Sequence, residues 1–337
     1  MHTRSRSSLV LIFSSLLVLG SLVLAGCGSA ASGTGNSSSG GSNLTNVSIG
    51  LGYIPDIQFA PFYVAQSKGY YKAAGLNVTL HNGIVNDLIG SMVLGHDNFV
   101  FASGDEVMTA RSKNLPVVDV STIYQRYPVC IIVPANSPIK TLADLKGHTI
   151  GSPASFGATY IGMLALLYHA HLSLSDVHVE TIGFTQVTAL LTHKVDAVVG
   201  YSNNEALQLP AKGMPVRTFD VSDYQPLVSN GIVVTEDTLH NEPQMVKSFV
   251  QATLKGVQYV INNPKQAVQI SKAYVPGMDV NEATQVLMAT IPVLKGNGHL
   301  GYNDSATWQS MVQFLVADKI IPPVQDITQA YTNVGIS

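Results

Sequence analysis

The stretch Leu94-Gly95-His96-Asp97-Asn98-Phe99-Val100-Phe101-Ala102-Ser103-Gly104-Asp105 is echoed later by Thr192-His193-Lys194-Val195-Asp196-Ala197-Val198-Val199-Gly200-Tyr201-Ser202-Asn203. Each runs from a helix end through an apolar strand into a polar loop that opens another helix. The likeness is one of pattern, because few positions are identical. Ligands of open α/β sheets bind outside the carboxyl ends of the strands. Two such units in two lobes would bring Ser103-Gly104-Asp105 and Tyr201-Ser202-Asn203-Asn204 face to face across a cleft.

Working outward, strand and helix signals alternate throughout, which predicts an α/β fold. Strands are predicted at Val47–Gly52, Asn77–Leu80, Asn98–Ala102, Val117–Ile123 and Val129–Val133. More follow at His148–Gly151, Val177–Thr181, Asp196–Gly200 and Gly231–Thr235. Helices fall between them, among them Pro61–Lys68, Asp105–Ser112, Ala158–Ala170 and Asn203–Leu209. From Glu242 the pattern turns helical: Glu242–Asn262, Pro264–Ala273, Asn281–Thr290 and Ala306–Ala317. A length of 337 residues suits two domains, and 46% hydrophobic with 12% charged residues suits a large packed core.

The N-terminus is the most specific local signal. Arg4 and Arg6 precede an apolar run from Leu9 to Leu24, a secretory signal pattern. It ends in Leu24-Ala25-Gly26-Cys27, the form of a bacterial lipoprotein signal, which makes residues 1–26 a signal peptide and Cys27 the lipidation site. Acyl chains there would hold the protein on the outer face of the cell membrane. Residues 27–43 continue as a Gly/Ser tether with nothing to bury. Beyond it Cys130 stands alone in the apolar run Val129–Val133, reading as a buried strand residue.

Charge balance and motif content argue against several functions. Removing Arg4 and Arg6 from the 18 basic residues leaves 16 against 21 acidic ones, no footprint for nucleic acid. Phosphate-loop, zincin, paired-cysteine and nucleophile-elbow signatures are absent from the sequence, so no catalytic residue is assigned. His169-Ala170-His171 falls at a helix end and is not taken as a metal site. Past the signal the arginines are Arg111, Arg126 and Arg217, which leans against a strongly anionic ligand. Arg111 reads as solvated.

The motifs Tyr53-Ile54-Pro55-Asp56-Ile57-Gln58-Phe59-Ala60-Pro61-Phe62-Tyr63-Val64-Ala65, Lys68-Gly69-Tyr70-Tyr71-Lys72-Ala73-Ala74-Gly75-Leu76, Leu142-Ala143-Asp144-Leu145-Lys146-Gly147-His148-Thr149-Ile150-Gly151 and Val195-Asp196-Ala197-Val198 carry a resemblance. In order and spacing they resemble the solute-binding proteins related to thiamine-pyrimidine binding. Phe59-Ala60-Pro61 stands where that family usually has His-Ala-Pro. Gln58-Phe59-Ala60-Pro61, Phe156-Gly157-Ala158-Thr159-Tyr160, Phe184-Thr185-Gln186 and Tyr201-Ser202-Asn203-Asn204-Glu205 are similar to the riboflavin-binding members.

The resemblance implies a two-lobed periplasmic-binding-protein fold of type II, two doubly wound sheets joined by crossover strands. Residues 44–133 plus 233–337 would form lobe one and 134–232 lobe two, with Val129–Val133 and Gly231–Thr235 as crossovers. It implies a monomeric, non-enzymatic lipoprotein that hands a small heterocycle, riboflavin first, to an ABC permease and its ATPase. No cofactor is implied. Alternatives are a thiamine pyrimidine precursor, or a sulfonate or nitrile-type solute; an extracytoplasmic enzyme or sensor is a remoter one.

A flat heterocycle needs aromatic faces and a few polar groups at its edges. The candidates are Tyr53, Phe59, Tyr160 and Tyr201 for stacking, with Gln58, Asn203, Asn204 and Glu205 for edge recognition. Ser103, Gly104 and Asp105 come from the first loop, and Arg126 stands at the cleft edge before a crossover. Each has a plainer alternative: the aromatics as core, Asn203, Asn204 and Asp105 as helix caps.

Overall fold

The computed structural model describes residues 44–296 and 298–336. The signal segment, Cys27 and the tether lie outside the described residues. No helix among the described residues is long and apolar enough to cross a membrane.

Among the described residues, ten strands form two sheets of five. They are β1 (Thr45–Leu51), β2 (Leu76–Asn82), β3 (Phe99–Ser103), β4 (Val117–Thr122), β5 (Val129–Pro134), β6 (Thr149–Ser152), β7 (His178–Thr181), β8 (Ala197–Tyr201), β9 (Val216–Asp220) and β10 (Asn230–Thr235). The first sheet has the order β2-β1-β3-β10-β4 and the second β7-β6-β8-β5-β9. In each sheet the first three strands run parallel and the next is antiparallel. The echoed units of sequence thus occupy matching places: β3 and β8 are each the middle strand of a sheet. Both are apolar because both faces of the sheet are covered.

The chain changes sheet in loops rather than within strands. β5, read in sequence as a crossover closing the first lobe, pairs only with β8 and β9 of the second sheet. β10 pairs only with β3 and β4 of the first. The passages are therefore residues 123–128 and 221–229.

β9 had no counterpart in the sequence reading. Among Val216-Arg217-Thr218-Phe219-Asp220 only Phe219 is buried, as befits an edge strand. The helix predicted at Asn281–Thr290 runs instead over Val280–Lys295, through Pro292. The helix continues there because Ile291, Val293 and Leu294 are buried, and that packing outweighs the lost backbone bond.

One close helix contact sets the position of the site. Gly256 of the helix Pro243–Asn262 lies against the Pro61 carbonyl and Ala65 of the helix Ala60–Ser67. A methyl group on Gly256 would overlap that carbonyl. The helix Ala60–Ser67 in turn follows directly on Gln58 and Phe59. Cys130 is fully buried in β5, as its apolar neighbours predict.

Candidate functional site

A cleft of about 220 Å³ opens where the two sheets present the carboxyl ends of their parallel strands. One water needs about 10–15 Å³ by the same kind of measure, so the space is ligand-sized. Tyr53 follows β1, Phe101 lies within β3, and Glu106 lies in the helix Gly104–Ser112 that β3 feeds. From the other side come Phe156, Phe184 and Tyr201, beyond or at the ends of β6, β7 and β8. Ile84, Phe156 and Phe184 are 46%, 38% and 44% exposed, so the rim offers apolar surface that the fold itself leaves uncovered.

Five candidates from sequence meet in this cleft: Tyr53, Gln58, Phe59, Tyr201 and Glu205. Phe59 is held edge-on by Phe101, with ring centroids 6.0 Å apart. Tyr53 stands edge-on to Phe184 at 4.8 Å. The Tyr201 hydroxyl donates to Asn230 Oδ1 at 3.1 Å. Gln58 Oε1 accepts from Asn204 Nδ2 at 3.2 Å, and the Gln58 carbonyl accepts the Tyr124 hydroxyl at 2.9 Å. Gln58 Nε2 is buried and has no partner in the protein.

The other candidates do not line the cleft. Tyr160 lies in a separate groove with Leu164, Leu167 and Ile320. Arg126 points away and pairs with Ser222 Oγ at 2.9 Å and Asp223 Oδ1 at 3.0 Å. Asn203 Nδ2 donates to Thr290 Oγ1 at 2.8 Å, while Asn204 serves Gln58 and Gln208. Asn204 stands at the N-cap of its helix by backbone position, but its side chain makes no capping bond. Gly104 packs against Val228, where a side chain would not fit. Asp105 is buried and accepts the Tyr127 hydroxyl at 3.0 Å. Burial and its neighbour Glu106 push the Asp105 carboxyl well above the usual range. Arg111, read as solvated, instead donates to the Val117 carbonyl at 2.9 Å and Glu236 at 2.7 Å. Arg217 serves the Ile139 and Ala135 carbonyls.

Sequence reasoning missed Glu106. Its Oε2 accepts from the Ser103 N–H at 2.8 Å and the Ser103 hydroxyl at 3.0 Å. Its Oε1 accepts from the Ala158 N–H at 3.3 Å, at the start of the helix Gly157–His169. The spacing Ser103-x-x-Glu106 is a capping-box pattern and was a visible signal. Glu205 mirrors it from the other unit. Its Oε2 accepts from the Tyr201 N–H at 2.8 Å, and its Oε1 meets the Tyr53 hydroxyl and Gln186 Nε2, each at 3.4 Å. Each carboxyl thus ties down the end of its own strand with one oxygen and reaches toward the opposite wall with the other. Burial pushes Glu205 up to about 7 and raises Glu106 as well.

Phe156, Phe184 and Gln186 line the cleft from stretches that carry the resemblance, whereas Tyr160 of the first stretch does not. Aromatic type alone does not tell which way a side chain turns from a loop. No lining residue is a lysine, arginine or histidine, and no group of metal-ligating side chains is present among the described residues. What remains is a pocket of aromatic faces with two carboxyls and a few amides at its edges.

Two mixed five-stranded sheets with a cleft at their strand ends define a type II periplasmic-binding-protein fold. Its likeness to the periplasmic aliphatic sulphonate binding protein SsuA from Escherichia coli has a TM-score of 0.70 at 15% identity, covering 85% of this chain and 96% of that one. Residues 56–267 match the family described as NMT1/THI5 like, and the chain belongs to it as a solute-binding protein. The riboflavin-binding protein RibY of Chloroflexus aurantiacus is 36% identical over 300 residues, 86% of each chain. The formylaminopyrimidine-binding protein of Halalkalibacterium halodurans is 26% identical, covering 89% of this chain and 92% of its own. A relative in Legionella pneumophila, 23% identical over 86% of this chain and 92% of its own, is a 4-amino-5-hydroxymethyl-2-methylpyrimidine phosphate synthase.

Proposed function

We propose that the chain captures riboflavin, or a close flavin, between two lobes and delivers it unchanged to the permease and ATPase of an ABC importer. The observation that carries this reading is the cleft itself, aromatic on both walls and without a basic side chain. An isoalloxazine ring offers wide flat faces to Tyr53, Phe59, Tyr201 and Phe184, and offset stacking adds about 0.5–1.5 kcal/mol per pair beyond burial. Its ring carbonyls and imide N–H suit Gln58 and Glu205. The 36% identity to RibY supports the same choice. In this reading the lobes turn about the passages 123–128 and 221–229, a hinge motion. The same reading places a lipidated Cys27 and a Gly/Ser leash at the outer face of the membrane.

A pyrimidine precursor of thiamine is the second reading, favoured by the family match and by the formylaminopyrimidine-binding relative. One titration separates them. Riboflavin added to the purified chain should lose its fluorescence on binding, and Tyr201→Ala should weaken that binding at least about tenfold with the fold intact. An unquenched titration together with tight binding of hydroxymethylpyrimidine moves the function to the thiamine branch.

A further inference from the structure

We infer that the cleft is a charge filter: it admits an uncharged ring compound and rejects the phosphate ester of the same ring, with Glu106 setting the preference. The flavin reading enters only in the choice of probe.

A bound phosphate is normally held by guanidinium or ammonium groups, or by free N–H groups at a helix N-terminus. The cleft has no lysine, arginine or histidine on its walls. Arg111, Arg126 and Arg217 are each engaged elsewhere. Several helices begin at the cleft, those starting at Val85, Gln186 and Glu205 among them, and the one that starts at Gly157 faces it through Gly157, Ala158 and Thr159. That last N-terminus is already occupied, because Glu106 Oε1 lies 3.3 Å from the Ala158 nitrogen. Gly157 makes room for this carboxyl: it has φ +82° and no side chain, and a Cβ there would sit 3.0 Å from Glu106 Oε1. The opposite wall carries a second carboxyl, Glu205, again satisfied by the protein. A phosphate entering here would lose its water and find no cation, a cost that ring stacking does not offset. Gln58 offers one unpaired donor to the edge of a bound ring. It lines the cleft, is 6% exposed, and its Nε2 donor lacks a partner that a ring carbonyl would supply.

The test compares each neutral compound with its phosphate ester on the purified chain: riboflavin against flavin mononucleotide by fluorescence, and hydroxymethylpyrimidine against its phosphate by calorimetry. Whichever neutral compound binds should do so at least about 100-fold more tightly than its ester. Glu106→Gln, checked for folding by its melting temperature, should narrow that ratio about tenfold or more. Ile84→Arg offers a second route at an exposed rim position, where an added guanidinium should narrow the ratio at least about fivefold. Ester and neutral compound binding within threefold of each other would overturn the filter. An unchanged ratio in a folded Glu106→Gln protein would remove Glu106 from it. Absence of riboflavin binding would instead sink the flavin reading, with the pyrimidine pair still deciding the filter.

Discussion

Asp119 shows what burial does to a carboxyl in this protein. It is fully buried in β4, its Oδ1 accepting from the Ser121 N–H at 2.8 Å and Asn303 Nδ2 at 3.1 Å. Its Oδ2 has no partner, and burial pushes the group from 3.8 up to about 7. The folded chain therefore keeps the proton that the unfolded chain releases. Between about pH 4 and about pH 7 the folded state binds more protons, so this group's contribution to stability falls as pH rises through that window. Asp119→Asn should raise stability by roughly 2–4 kcal/mol at about pH 8 and by much less at about pH 4.5. Denaturant unfolding at both pH values measures this, and an equal change at both would contradict it. At this scale sequence was a partial guide. The types at Tyr53, Gln58, Phe59, Tyr201 and Glu205 were readable, but Asn203 and Asn204 turn their amides to Thr290 and Gln58 instead of the cleft. A loop residue's orientation depends on what lies across from it, and that partner is distant in sequence.

Gly256 decides how closely two helices pack. It lets the helices Pro243–Asn262 and Ala60–Ser67 approach until a backbone carbonyl occupies the place of its side chain. Alanine is the better helix former by about 1 kcal/mol. Gly256→Ala should nevertheless destabilise the protein by about 1–3 kcal/mol, because the overlap forces the helices apart. Riboflavin binding should weaken with it, since Gln58 and Phe59 precede the displaced helix. Thermal unfolding and the flavin titration check both; a more stable variant would show that the contact is loose. Most elements were legible in sequence, because long apolar periodicities dominate them. β9 was hidden by its single buried position, and the end of the helix Val280–Lys295 by a proline that its packing overrides.

The duplicated arrangement of strands is the clearest feature of the whole molecule. β3 and β8 hold the same place in their sheets, and each feeds a helix near whose start a glutamate turns back to the strand end. The echo in sequence announced the matching strand places, yet Ser103, Gly104 and Asp105 lie behind the wall while Glu106 reaches it. The passages 123–128 and 221–229 could not be placed from sequence, because β5 and β10 are equally apolar whichever sheet they join. The proposed ligand is a flavin held between the two walls of the cleft. A crystal structure of the chain grown with riboflavin tests it most directly. Ring density should lie flanked by Phe59 and Tyr201, with a ring carbonyl within hydrogen-bond reach of Gln58 Nε2. An empty cleft with riboflavin seated elsewhere, such as the groove at Tyr160, would contradict it.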